Sequence, residues 1–207
     1  MKQILLFSTV VLLTSILTSE TRRTISHDGR WWFSISAGEQ QSYQLGYGGC
    51  YVDSLKLKRP PDVENRKLAQ LITTSYRDGK AGSGELVLAV MKRVWAESVG
   101  KKAPPLPKGG ETWTEPHGYF DGLWWKGASA EEKLGFVEGA TDCFNEEESS
   151  HIRFPLARSE YVKWLDEAYG LEQNSSVPRL LEDTKIADVL QKKGERIAKE
   201  HTADRGQ

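Results

Sequence analysis

Residues 28–51 read DGRWWFSISAGEQQSYQLGYGGCY, and residues 121–144 read DGLWWKGASAEEKLGFVEGATDCF. Laid over one another at a constant shift of 93 with no gaps, nine of the 24 positions are identical. They are Asp28/Asp121, Gly29/Gly122, Trp31/Trp124, Trp32/Trp125, Ser36/Ser129, Ala37/Ala130, Glu39/Glu132, Gly46/Gly139 and Cys50/Cys143. Tyr43/Phe136 and Tyr51/Phe144 are aromatic in both stretches. Tryptophan and cysteine are scarce residues, so their coincidence at a single shift marks an internal repeat.

Outward from this pair of stretches, identity fades while periodicity persists. Leu68, Leu71, Ile72, Ser75 and Tyr76 stand at the spacing of one helix face, and Tyr161, Trp164, Leu165, Ala168 and Tyr169 repeat it 93 residues later. Val87, Val90 and Met91 correspond to Ile186, Val189 and Leu190 at a shift of 99, which puts the extra residues of the second unit near Leu171–Pro178. Ser36 and Ser129 stand three residues before Glu39 and Glu132, the spacing of a reciprocal helix cap. First helices are expected over 37–55 and 130–147, and second helices over 63–78 and 159–169. Gly79 and Gly170 are placed to close the second pair in a left-handed cap, and Ser83 and Ser176 precede a third pair.

No segment alternates like a strand between hairpin turns. The expected fold is all-α: a tandem duplication of a three-helix unit, each unit opened by a Trp-rich turn. A unit of ~80 residues is marginal by itself, so the two are expected to pack together about an approximate two-fold axis. The units span 26–99 and 119–200, joined by a Pro/Gly-rich linker over 100–118 and followed by a polar tail over 201–207.

At the other end, Met1-Lys2 precedes a run from Ile4 to Leu17 whose only polar residues are Ser and Thr. The run is short of the ~20 apolar residues that cross a bilayer and fits a secretory signal peptide over 1–19. The mature chain is then expected to begin near Glu20, in the periplasm or outside the cell, with no membrane span after signal removal. With 28 Lys+Arg against 29 Asp+Glu, the chain lacks the basic footprint of a nucleic-acid binder. Two cysteines are too few for a disulfide framework or an all-cysteine zinc site.

Four features offer chemistry. Trp31, Trp32, Trp124 and Trp125, each pair just after Asp28 or Asp121, read either as an aromatic platform for a sugar or peptide or as core plugs behind an Asp-Gly turn. Their repetition favours the core, because folding constrains both copies. Cys50 and Cys143 hold equivalent places, each four residues after a glycine, so they read as a disulfide joining the units or as two buried thiols. The histidines, His27, His117, His151 and His201, show no zinc-ligand spacing and read as surface residues. Glu138, Asp142 and Glu146–Glu148 form an acidic cluster that reads as a solvated helix end, because nothing marks two acids held across a cleft. No metal or other cofactor is expected. Asn174-Ser175-Ser176 matches a glycosylation sequon.

The helix of form (Gly/Ser)-(Phe/Tyr)-x-x-Gly-x-x-x-Cys occurs at Ser42, Tyr43, Gly46 and Cys50 and again at Gly135, Phe136, Gly139 and Cys143. With an export signal and a helix ending in Tyr, it resembles the periplasmic immunity proteins that protect bacteria against amidase effectors of type VI secretion. The chain is also similar to exported bacterial proteins with an Asp-Gly-x-Trp-Trp start. The immunity proteins carry one such unit with a second cysteine in it, whereas here there are two units with one cysteine each, so no inhibitory residue is carried over. The expectation is an exported, non-enzymatic binding or inhibitory protein whose partner is a protein or envelope component. The alternatives are a carbohydrate-binding or hydrolytic protein using the Trp turns and acidic cluster, and a structural envelope scaffold.

Overall fold

The computed structural model describes residues 27–51, 65–98, 120–146, 154–172, 176 and 178–203. The expected signal peptide (1–19), the linker (100–118), His117, His151, Glu147, Glu148 and the sequon's Asn174 lie outside these residues. Eight helices occur among the described residues: α1 (Gly29–Ser34), α2 (Ala37–Gly49), α3 (Asn65–Arg77), α4 (Val87–Ser98), α5 (Gly122–Gly127), α6 (Ala130–Glu146), α7 (Arg158–Ala168) and α8 (Ile186–Ala203). No strand is present among them, only two isolated antiparallel bridges, Asp28 to Leu86 and Asp121 to Lys185. The fold is all-α, and no helix among the described residues is long and apolar enough to cross a membrane.

The Trp-rich segments are short helices rather than turns. The Asp28 carboxylate accepts from the amides of Arg30 and Trp31 at 3.0 and 3.1 Å. Asp121 does the same for Leu123 and Trp124 at 3.0 and 3.2 Å. Each aspartate thus satisfies first-turn donors that have no partner within the helix and so fixes where it starts. The glycine that follows is required by packing: a Cβ on Gly29 would strike the Tyr76 ring, and one on Gly122 the Tyr169 ring. Those tyrosines are anchored in turn, donating to the carbonyls of Glu85 and Thr184 at 2.8 Å each.

α2 and α6 start where the capping spacing placed them. Ser36 Oγ accepts from the Glu39 amide and Ser129 Oγ from the Glu132 amide, both at 3.2 Å. The reciprocal bond, Ser129 amide to the Glu132 carboxylate, is 2.8 Å. Gly79 and Gly170 adopt φ of +69° and +74°, the left-handed conformation that ends a helix at little cost only in glycine.

The third helices, α4 and α8, follow Ser83 and Ser176 and start at Val87 and Ile186. The amide of Val87 donates to the His27 carbonyl at 2.7 Å, and that of Ile186 to the Phe120 carbonyl at 2.9 Å. In both places the residues before the helix are held extended against the strand-like entry to α1 or α5, so local capping is replaced by a long-range bond. At the far end, α8 runs to Ala203, past the expected boundary at 200.

α2 and α6 cross at the centre. Gly46 abuts the backbone of Phe136 and Gly139 that of Tyr43, each with no room for a Cβ; Gly135 abuts Glu39 in the same way. The spacing Ser42-x-x-x-Gly46-x-x-x-Cys50 therefore faces Gly135-x-x-x-Gly139-x-x-x-Cys143, small residues on both sides letting the two backbones touch. A disulfide between Cys50 and Cys143 closes this seam, with a Cα–Cα distance of 6.2 Å. Around it Leu68, Ile72, Val87, Val90 and Met91 on one side, and Tyr161, Leu165, Ile186 and Leu190 on the other, are buried in one core.

Candidate functional site

Trp32, Trp124 and Trp125 are buried in that core, while Trp31 is half-buried. Trp32 Nε1 donates to Thr73 Oγ1 at 2.9 Å, and Trp125 Nε1 to Asp166 Oδ1 at 2.8 Å. A ligand platform needs an open ring face, and these three rings turn theirs to neighbouring side chains. Asp28 and Asp121 are spent as helix caps. Of the six residues considered for ligand binding, Trp31 alone combines partial exposure with a side chain not committed to capping.

Trp31 leads to a cluster the sequence reading did not assemble. Its ring lies against the His27 imidazole, with centroids 3.9 Å apart. His27 is not a surface residue: it is 6% exposed. Its Nδ1 stands 2.6 Å from Asp142 Oδ2, and its Nε2 stands 3.9 Å from Glu138 Oε1. The Tyr43 hydroxyl donates to the same Asp142 oxygen at 2.9 Å, and Arg158 pairs with Asp142 Oδ1 at 3.6 Å. One carboxylate thus gathers an imidazole from the entry to α1, a phenol from α2 and a guanidinium from α7.

The two helices supply this chemistry in register. Glu138, Asp142 and Glu146 follow at intervals of four along α6, on the face opposite Tyr43 and Tyr47 of α2. Tyr47 donates to Glu146 Oε2 at 2.9 Å, and Lys92 of α4 donates to Glu146 Oε1 at 2.6 Å. The acidic run is therefore not a solvated helix end over this length. Its first two members lie in the α2–α6 seam, and only Glu146 reaches the surface.

Electrostatics set Glu138 apart. Burial pushes its carboxyl up to about 7; His27 opposes this, Glu39 and Asp142 add repulsion, and Arg158 opposes it more weakly. Its Oε2 is buried without a hydrogen-bond partner among the described residues. Glu39, across the seam on α2, is also raised, by burial first and then by Glu131. The Tyr43 phenol is held well above its ordinary range by burial and by the Asp142 charge, so it remains a donor.

The positions 93 residues away provide a contrast inside the same molecule. Phe120 stands where His27 would be, Phe136 for Tyr43, Leu45 for Glu138 and Gly49 for Asp142. Phe120 packs on Trp124 and Phe136, with centroids 5.2 and 5.6 Å apart. Phenylalanine, leucine and glycine stand on one side of the seam where the other places the buried His27, Tyr43 and Glu138 and the half-buried Asp142.

No protein-family model, curated protein or solved structure matches this chain.

Asp142 fixes the imidazole at 2.6 Å, while the Glu138 carboxyl stands 3.9 Å from the other ring nitrogen, beyond a direct hydrogen bond. No group of three or more His, Cys, Asp or Glu side chains is arranged to hold a metal ion among the described residues. The missed residue is His27, and its signal was one position outside the quoted stretch. Extending the shift of 93 back by one residue pairs His27 with Phe120, an imidazole in an aromatic slot. The intervals of four linking Glu138, Asp142 and Glu146, and Tyr43 and Tyr47, were the second signal.

Proposed function

We propose that this chain is an exported, helical binding protein of the cell envelope, acting by holding or inhibiting a macromolecular partner rather than by turning over a substrate. The observation that carries this reading is the Cys50–Cys143 disulfide joining α2 and α6 across the glycine seam. Such a bond persists in oxidising compartments, in keeping with the signal-like run at Ile4–Leu17. The aromatic residues that first suggested a carbohydrate site are largely used to build the core, which favours a rigid recognition body.

A tandem duplication with approximate two-fold symmetry accounts for the way the two halves correspond. Support comes from the Asp28 and Asp121 caps, the Trp32–Thr73 and Trp125–Asp166 bonds, and the reciprocal Gly46–Phe136 and Gly139–Tyr43 approaches. The partner is a protein or another envelope component.

Two measurements test the reading. Cell fractionation with thiol alkylation is expected to find the chain exported and fully oxidised; a reduced chain retained in the cytosol would overturn it. Cross-linking in cells, followed by titration of the purified partner, is expected to give one saturable complex. The absence of any saturable complex counts against a binding role.

A hydrolytic second reading is favoured by one observation, the convergence of Trp31, His27, Asp142 and Glu138. It predicts release of reducing ends from envelope polysaccharide, abolished by Asp142→Asn. If neither the parent protein nor the variant releases them, this reading falls.

A further inference from the structure

We propose that His27, Asp142 and Glu138 form a proton-operated latch that fastens the segment entering α1 to α6 and loosens when Glu138 loses its proton. The latch is independent of which partner the protein binds.

The two nitrogens of His27 face different acids. Nδ1 faces the Asp142 carboxylate at 2.6 Å and so carries a hydrogen that it donates. Nε2 faces Glu138 Oε1 at 3.9 Å. For that pair to attract, a proton must sit on Nε2 or on Glu138. With neither protonated, a nitrogen lone pair meets a carboxylate in a buried site, and the contact becomes repulsive.

The surroundings do not relieve that repulsion. Facing Glu138 are Glu39 from α2, Asp142 from α6 and Arg158 from α7, together with His27 itself. The Tyr43 hydroxyl is committed to Asp142, and Arg158 pairs with Asp142 as well. The second Glu138 oxygen has no partner among the described residues. Three acids therefore share one guanidinium and one imidazole, and a Glu138 that has lost its proton is left undercompensated. Burial, which raises the Glu138 carboxyl to about 7, sets the range in which the loss begins.

The mechanical link is the backbone of His27. Its carbonyl accepts the amide of Val87, the first residue of α4, at 2.7 Å. Release of the imidazole frees the entry to α1 and exposes that amide. The opposite side of the molecule has the same bond, from Ile186 to Phe120 at 2.9 Å, but its anchor is a phenylalanine packed on Trp124 and Phe136. On that side Phe120, Phe136, Leu45 and Gly49 hold the places of His27, Tyr43, Glu138 and Asp142.

The experiment compares these two amides by hydrogen exchange in the full-length oxidised protein. Taking the ratio of Val87 to Ile186 protection cancels the intrinsic pH dependence of exchange. The ratio is expected to fall about tenfold or more between about pH 6 and about pH 8.5, the equivalent of one pKa unit of coupling. In Glu138→Gln, which keeps the shape and removes the charge, the ratio is expected to stay level. The combined variant His27→Phe, Tyr43→Phe, Glu138→Leu and Asp142→Gly, which gives this side the residues of the other, is expected to be level too. A wild-type ratio that does not move with pH overturns the latch, as does one that moves equally in Glu138→Gln. Should the combined variant not fold, Glu138→Gln alone decides.

Discussion

Gly139 lies flush against the backbone of Tyr43, so that α6 and α2 touch main chain to main chain at that point. A methyl group there meets carbonyl and amide atoms, which cannot swing aside as a side chain would. Gly139→Ala is therefore expected to cost about 3 kcal/mol, at the upper end of ordinary overpacking. Gly48→Ala is the control, because a Cβ at Gly48 meets nothing within 4 Å. It should be neutral or gain about 0.5–1 kcal/mol from the lower entropy of the unfolded chain. Urea denaturation of both variants with the disulfide intact makes the comparison.

The disulfide that closes the same seam spans 93 residues of chain. Tethering so long a loop restricts the unfolded ensemble strongly, and the joint change Cys50→Ser with Cys143→Ser is expected to cost about 2–5 kcal/mol. The measurement is the denaturation midpoint of the double variant beside that of the parent under reducing conditions. The two should agree within the cost of a buried hydroxyl.

Glu138 gives stability a pH dependence of defined sign. Its carboxyl is raised from 4.5 to about 7, so the folded chain binds this proton more tightly than the unfolded chain does. The resulting stabilisation is complete below about 4.5 and drains away as pH rises through about 7. Glu138→Gln removes the ionisable group, so at about pH 8 it should be the more stable protein by about 1–3 kcal/mol, with the advantage vanishing near pH 4. Thermal unfolding of both proteins across that range checks it.

The two equivalent tryptophans differ in what they bond. Trp32 donates to the neutral Thr73 hydroxyl, whereas Trp125 donates to the Asp166 carboxylate, which also holds Lys133 at 2.8 Å. Bonds to charged groups are the stronger kind, so Trp125→Phe is expected to cost about 1 kcal/mol more than Trp32→Phe. Equal losses in chemical denaturation would mean that ring volume, not the indole N–H, is what these sites need.

The correspondence between residues 28–51 and 121–144 was legible because its residues act locally or on corresponding residues. Asp28 and Asp121 cap their own helices, Ser36 and Ser129 theirs, and the glycines of α2 and α6 show close approach wherever two such helices cross. The apolar stripes from Leu68 to Tyr76 and from Tyr161 to Tyr169 are helical and face the core, as their spacing implies. The pairing of Cys50 with Cys143 could be raised but not decided, since helix position alone does not bring two sulfurs together.

His27 escaped because its partner lies 115 residues away, and only its pairing with Phe120 at the shift of 93 sets it apart. Likewise the first amides of α4 and α8 bond to the carbonyls of His27 and Phe120, partners that lie far along the chain. Glu138 and Asp142 looked like solvated charges because acids usually are; their interval of four gained meaning only opposite the tyrosines of α2.

The contrast between His27 and Phe120 gives the molecule a front and a back. Without it, a body with matching halves would offer a visitor two interchangeable ways to dock, and so a stoichiometry of two. Marking one flank with ionisable groups breaks that tie. On the proposed binding role, a companion that reads this flank is expected to settle in a single orientation, one copy to each chain.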